Sequence, residues 1–132
     1  MIASAKAADR LLRLRQFNLI ACCTGAAVIG RIAVGPTWAG TLFACWSGLP
    51  LLIGVPAALT ASTSAQQRAI AGVTALSFGA GLLVAHELHR SVDAFTPVIA
   101  WVLPGFHLAG TLSLLILALT ATTWLRWRSA TD

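Results

Sequence analysis

Four long apolar stretches constrain this chain more than any other feature of its sequence. They cover residues 17–34, 38–61, 69–88 and a last stretch that ends near residue 125. About 20 mostly apolar residues let a helix cross a hydrocarbon core of roughly 30 Å. Each stretch has this length, so the sequence predicts an all-α membrane protein, in which four transmembrane helices form an up-down bundle.

The composition argues against a soluble globular domain. The 132 residues are 58% hydrophobic and 10% charged, whereas soluble domains carry about 25% charged residues. Too few charges remain to cover a surface that faces water, so residues 1–132 are predicted to form one membrane domain with the lipid bilayer as its solvent. The net charge of +5 would suit nucleic acid, but the basic residues flank apolar runs and do not alternate with aromatic residues. We therefore expect no nucleic-acid partner.

The positions of lysine and arginine predict how the helices are oriented, because positive charge is retained on the cytoplasmic side of a membrane. If the N-terminus is inside, only Arg31 and Arg90 lie outside. We therefore expect both termini in the cytoplasm, a location in the plasma membrane, and residues 86–97 facing outside. The basic residues on the inner side are then Lys6, Arg10, Arg13, Arg15, Arg68, Arg126 and Arg128.

The start of the first span and the start of the last helix are each preceded by a segment that needs its own interpretation. Residues 1–16 are interpreted as a basic juxtamembrane segment whose leucines enter the membrane interface. The last helix starts at either Pro97 or Pro104, because proline suits the first turn of a helix. A start at Pro104 gives a span of ordinary length, residues 104–125. Residues 96–103 then form an interfacial segment.

Small residues at a spacing of four predict where the helices pack, because small side chains let membrane helices approach closely. Pro50 and Pro56 remove backbone donors from the second helix and should bend it. The small-residue pairs are Ala21/Gly25, Ala26/Gly30, Gly40/Ala44, Ala75/Gly79, Ser77/Gly81 and Gly81/Ala85.

Ionisable residues concentrate where the third helix ends, and such residues are functional candidates at membrane depth. His86 and His107 reach similar depths if the last helix starts at Pro104, and together they are candidate ligands of haem b. Alternatively, His86, His89 and Glu87 bind a divalent metal ion. The same residues are also typical of a polar helix end, where histidine favours the negative end of the helix dipole.

The three cysteines are interpreted as small buried hydrophobic residues. Cys22 and Cys23 lie near the inner side of the first helix, whereas Cys45 lies near the outer side of the second. This separation in depth predicts that the two groups share neither a metal ion nor a disulfide.

Three functions agree with these features. The leading prediction is a non-catalytic accessory or structural subunit that packs against other membrane protein subunits or its own copies, because the short loops leave no soluble domain for a substrate. The second is a redox membrane anchor that binds haem or metal through the histidines. The third is a subunit of a small-solute transporter or channel that uses the bent second helix.

Overall fold

The structure, a computed structural model, describes the backbone of residues 2–33, 38–90 and 96–131 and the side chains of residues 5–32, 45–86 and 102–130. Within these ranges the chain is helical and has no strand, which confirms the predicted all-α class. The helices are α1 (Ile2–Ala33), α2 (Trp38–Leu52), α3 (Gly54–Thr60), α4 (Ser64–Arg90) and α5 (Thr96–Thr131).

Helix α1 runs without a break through the boundary predicted at residue 16. Alanine, leucine and arginine, which dominate its first half, are strong helix formers. Its 32 residues extend about 48 Å at 1.5 Å per residue, whereas a hydrocarbon core is roughly 30 Å thick. Residues 2–16 are therefore part of the same continuous helix α1.

The second predicted helix is interrupted at Ile53, which separates α2 from α3. Pro50 lies inside α2 and cannot donate a backbone hydrogen bond. Pro56 lies in the first turn of α3, where a proline leaves no donor unpaired. The N–H of Ile53 still donates to the carbonyl of Leu49 at 3.2 Å. The helix is thus interrupted at Ile53, between the two prolines, and the bend stays a prediction.

Helix α5 starts at Thr96, which corrects the predicted start at Pro104 and the separate segment 96–103. Pro97 occupies the first turn, and Pro104 lies inside the helix and is fully buried. Prolines are tolerated inside membrane helices because neighbouring helices and side chains satisfy the freed carbonyl. Both prolines suit a helix start, and the expectation of a span of ordinary length favoured the wrong one.

Two helical stretches are long and apolar enough to cross a membrane, Ser64–His86 and Val102–Ala130, and Cys45–Thr60 is apolar but shorter. In the most apolar 18-residue window of each stretch, 33% of the residues are buried in the first and 22% in the second. The core helix of a soluble protein is mostly buried, whereas these two apolar stretches are largely exposed and could cross a membrane.

The four helices α1, α2, α4 and α5 form a four-cornered bundle, in which α1 and α5 each pack against both α2 and α4. The α3–α4 turn lies level with Arg15, which donates to the carbonyl of Ala61 at 3.2 Å, and Leu119 packs on the buried cluster that contains Ala61. The starts of α1 and α4 and the end of α5 therefore share one end of the bundle, which we name the turn end.

Close helix contacts occur at Ala26 and Gly81, which the sequence predicted, and at Gly48, which it did not, whereas the predicted pair Ala75/Gly79 is exposed. At Gly48, an ideal β carbon would lie 3.0 Å from the carbonyl oxygen of Ala26. At Gly81, an ideal β carbon would overlap Ile29 and would lie 3.1 Å from Cε1 of His107. Ser77, Gly81 and Ala85 are all buried, which confirms that this stripe of α4 faces the bundle interior.

Candidate functional site

The first candidate site is a polar cluster between α4 and α5, formed by Ser77, His107 and Thr111. The Ser77 hydroxyl lies 2.9 Å from Nε2 of His107 and 2.8 Å from the hydroxyl of Thr111. His107 and Thr111 are four residues apart on α5 and so share one face. Ser77 and Thr111 are buried. Side-chain hydrogen bonds thus join α4 to α5 within their apolar stretches.

The hydroxyl of Ser77 has one proton and two partners, so it donates one of its two hydrogen bonds and accepts the other. If Nε2 of His107 carries no proton, Ser77 donates to it and Thr111 donates to Ser77. If Nε2 is protonated, His107 donates to Ser77, and Ser77 donates to Thr111. In either arrangement the three side chains satisfy one another, which is the expected condition for polar groups away from water.

Ser47 adds a buried polar group on α2. Its side chain is 3% exposed, and its hydroxyl has no hydrogen-bond partner among the described residues. The neighbouring Trp46 packs toward Gly105 of α5, and Gly48 packs against Ala26 of α1. Successive residues project about 100° apart around a helix. Ser47 therefore projects between these two directions, into the bundle interior.

A second polar cluster lies at the turn end, between α1 and α4. The Asn18 amide donates to the backbone carbonyl of Gln67 at 2.8 Å and to its side-chain oxygen at 2.7 Å. The Gln67 amide in turn donates to the carbonyls of Ala58 and Ala61, at 2.8 and 3.3 Å. Asn18 and Gln67 are both fully buried. This cluster fixes α1, the end of α3 and the start of α4 relative to one another.

The start of α4 is held by a capping box. The N–H of Gln66 donates to the Thr63 hydroxyl at 3.2 Å, and the N–H of Thr63 donates to the side-chain oxygen of Gln66 at 3.3 Å. The sequence Thr63-Ser64-Ala65-Gln66 has the spacing of this motif. The sequence analysis missed it, and with it the exact start of α4.

The predicted histidine pair is separated in the structure. His107 contacts Ser77, which precedes His86 by nine residues on α4. The two histidines therefore differ in level by about 13 Å along the bundle. The equal depth on which shared haem ligation depended does not hold, because α5 starts eight residues earlier than Pro104.

His86 itself is exposed and lines a cavity of about 600 Å³ between α1 and α4. The other lining residues are apolar: Ile32, Gly79, Leu82, Leu83 and Ala85. The side chains of Glu87 and His89 lie outside the described residues. In the part of the chain whose side chains are described, no three His, Cys, Asp or Glu residues group as metal ligands. Metal binding by His86, His89 and Glu87 stays a prediction.

The interpretation of the cysteines as buried residues is confirmed for Cys22 and is wrong for Cys23 and Cys45. Cys22 is buried, with its sulfur 3.5 Å from the Thr74 hydroxyl, whereas Cys23 and Cys45 are exposed. Cys23 and Cys45 line the same groove between α1 and α2, which has a volume of about 430 Å³. Because Ala26 lies opposite Gly48, Cys23 and Cys45 are offset by roughly 9 Å along the helices. They line one groove at different levels.

No protein family model matches this sequence, and no curated protein or solved structure matches it either. Its function is therefore inferred from the residues described above.

Proposed function

We propose that the protein is a non-catalytic subunit of the plasma membrane, built from four membrane-spanning helices with both termini in the cytoplasm. The apolar side chains that α4 and α5 expose support a membrane location. On α5, for example, Phe106 is 72% exposed and Leu117 is 66% exposed. Side chains of this size favour lipid or another protein over water.

The distribution of charge around the bundle supports the orientation. Helix α1 starts, α4 starts and α5 ends at the turn end, which therefore carries the seven basic residues that the sequence places inside. Arg31 lies in the last turn of α1, at the opposite end. Under the positive-inside rule the turn end faces the cytoplasm.

The proposal that the protein packs against a partner is based on the exposed face of α4. Gly72, Leu76, Gly79, Leu83 and His86 are exposed and alternate at spacings of four and three residues. An ideal β carbon at Gly72 or Gly79 would meet no atom within 4 Å. Gly72 and Gly79 are seven residues apart on this face, and small residues at a helix surface let a second helix approach the backbone closely in a membrane.

Two cavities along the same side of the molecule support this docking face. The cavity at His86 lies beside Gly79, and a second cavity of about 260 Å³ lies between α1 and α4 nearer the turn end. The second cavity is lined by residues that include Phe17, Gly25 and Ala75. The two cavities both lie between α1 and α4. A helix of another subunit, or of a second copy, would lie along them.

Replacing Gly79 by leucine tests this face. We expect Gly79→Leu to weaken association by about 2 kcal/mol, because a bulky side chain would separate two closely packed helices. The measurement is the mass of the protein and its co-purifying subunits in mild detergent, determined by light scattering. Gly110→Leu on α5 is the matched control, since Gly110 is also exposed with no atom within 4 Å of an ideal β carbon.

The wild-type protein and the Gly110→Leu variant should have the same assembly mass, greater than that of one chain. The Gly79→Leu variant should have a smaller mass. An assembly of equal mass in all three would contradict the proposed face. So would a wild-type protein that is monomeric and without partners.

One observation favours the second candidate function, a redox membrane anchor. The imidazole of His86 lines a largely apolar cavity, an arrangement in which a haem could bind with histidine as an axial ligand. Protein purified from its native membrane should then show a Soret band that His86→Ala removes and His107→Ala does not. A colourless preparation would exclude this function.

A further inference from the structure

Both terminal helices extend beyond the turn end of the bundle. On α1, residues 2–14 precede the level of Arg15, which donates to the carbonyl of Ala61 in the turn. On α5, residues 120–131 follow Leu119, which packs on the cluster that contains Ala61. At 1.5 Å per residue these segments extend about 20 Å and about 18 Å. We name them the α1 arm and the α5 arm.

The arms stand at opposite corners of the bundle, because α1 and α5 each pack on α2 and α4. Neighbouring helices pack with axes about 8–10 Å apart. Because α2 and α4 also contact each other, the four axes form a rhombus, and α1 and α5 lie at the ends of its long diagonal, which is roughly 15 Å. We name the space between the arms the slot; the turn and the partly buried Arg15 lie at its floor.

The arms are strongly basic. Lys6, Arg10 and Arg13 lie on the α1 arm, and Arg126 and Arg128 lie on the α5 arm. Within the arms, Asp9 is the one acidic residue that the structure describes, and it pairs with Arg13 at 2.7 Å. At the floor of the slot, Nε of Arg15 is buried and has no hydrogen-bond partner in the described part of the chain.

Apolar side chains accompany these charges. Leu12 on the α1 arm is 53% exposed, and Trp127 on the α5 arm is 66% exposed. Trp124 is also exposed, and the guanidinium of Arg128 lies 5.5 Å from the centre of its ring. Tryptophan is enriched at the level of lipid headgroups, and basic residues close to a membrane attract anionic lipids.

We propose that the two arms bind an anionic phospholipid of the cytoplasmic leaflet, with its phosphate between the arms near Arg10 and Arg126. This inference rests on the membrane location and orientation proposed above. Guanidinium groups pair with phosphate oxygens through charge-assisted hydrogen bonds, and the exposed leucine and tryptophan side chains would contact the acyl chains.

The test is native mass spectrometry of the full-length protein in mild detergent, with added phosphatidylglycerol or with phosphatidylcholine of the same acyl chains. The wild type should retain phosphatidylglycerol in preference to phosphatidylcholine. The double variant Arg10→Gln/Arg126→Gln should lose about fivefold in phosphatidylglycerol affinity per arginine, since each substitution removes a direct charge-assisted hydrogen bond to the phosphate. All the substituted side chains are exposed, and circular dichroism should show unchanged helicity.

Arg31→Gln/Arg68→Gln is the matched control, because it removes the same charge from exposed positions outside the arms. This control should retain phosphatidylglycerol as the wild type does. Equal losses in both double variants, or equal retention of the two lipids by the wild type, would overturn the lipid site. Binding of a poly-glutamate peptide in place of lipid would overturn it as well. Protein that remains monodisperse without detergent would instead refute the proposed membrane function.

Discussion

Gly81→Leu is expected to destabilise the protein by about 3 kcal/mol or more, because a leucine cannot fit where three helices meet. An ideal β carbon at Gly81 would already overlap Ile29 of α1 and would lie 3.1 Å from Cε1 of His107 on α5. Gly81 is buried, so the added side chain has no route to the surface. The helices must separate, which also strains the hydrogen bond between Ser77 and His107.

The measurement is the free energy of unfolding in mixed detergent micelles, followed by circular dichroism. Gly110→Leu is the control, because it makes the same change in helix propensity on an exposed face of α5. It should leave stability within about 0.5 kcal/mol of the wild type. Similar unfolding free energies for the two variants would mean that α1, α4 and α5 do not meet at Gly81.

Gln67→Met should lower the free energy of unfolding by about 2 kcal/mol. Methionine nearly preserves volume and apolar packing, so the loss reports the hydrogen bonds. The Gln67 side chain accepts from Asn18 at 2.7 Å and donates to the carbonyls of Ala58 and Ala61. Side-chain hydrogen bonds between membrane helices average about 0.6 kcal/mol each, and an unpaired buried polar group costs a further 1–3 kcal/mol, approximately.

Gln16→Met on the exposed side of α1 controls for the chemical change and should have little effect. The double variant Asn18→Leu/Gln67→Met should be less destabilised than the sum of its single variants, because removing both partners leaves no unpaired amide. Additive losses would show that the Asn18 and Gln67 side chains do not act on each other.

The apolar pattern predicted the helical class and much of the interior. The stripe Ser77, Gly81 and Ala85 was identified from spacing alone and is buried, because small residues are the feature that lets membrane helices approach. The prolines of the second helix predicted a bend, and the structure has an interruption at Ile53 between them, since a missing backbone donor has a local effect.

The polar contacts of the candidate site could not be predicted from the sequence, because contacts between helices depend on the relative register of the helices. Asn18 and Gln67 are 49 residues apart, and no local pattern indicates that they pair. The histidine pair was predicted from equal depth, which depended on where α5 begins. Choosing between Pro97 and Pro104 moved His107 by seven residues along the helix, and the criterion of an ordinary span length favoured Pro104, whereas α5 starts at Thr96. The Ser77–His107 contact was therefore missed.

The central claim is that the four apolar runs lie in a membrane with the turn end toward the cytoplasm. Labelling of single cysteines with a membrane-impermeant thiol reagent tests it most directly, in a variant whose three native cysteines are replaced by alanine. In intact cells Ser91→Cys, between α4 and α5, should be labelled, and Ser129→Cys on α5 should be labelled only after permeabilisation. Labelling of Ser129→Cys in intact cells while Ser91→Cys is protected, or labelling of both, would contradict the account.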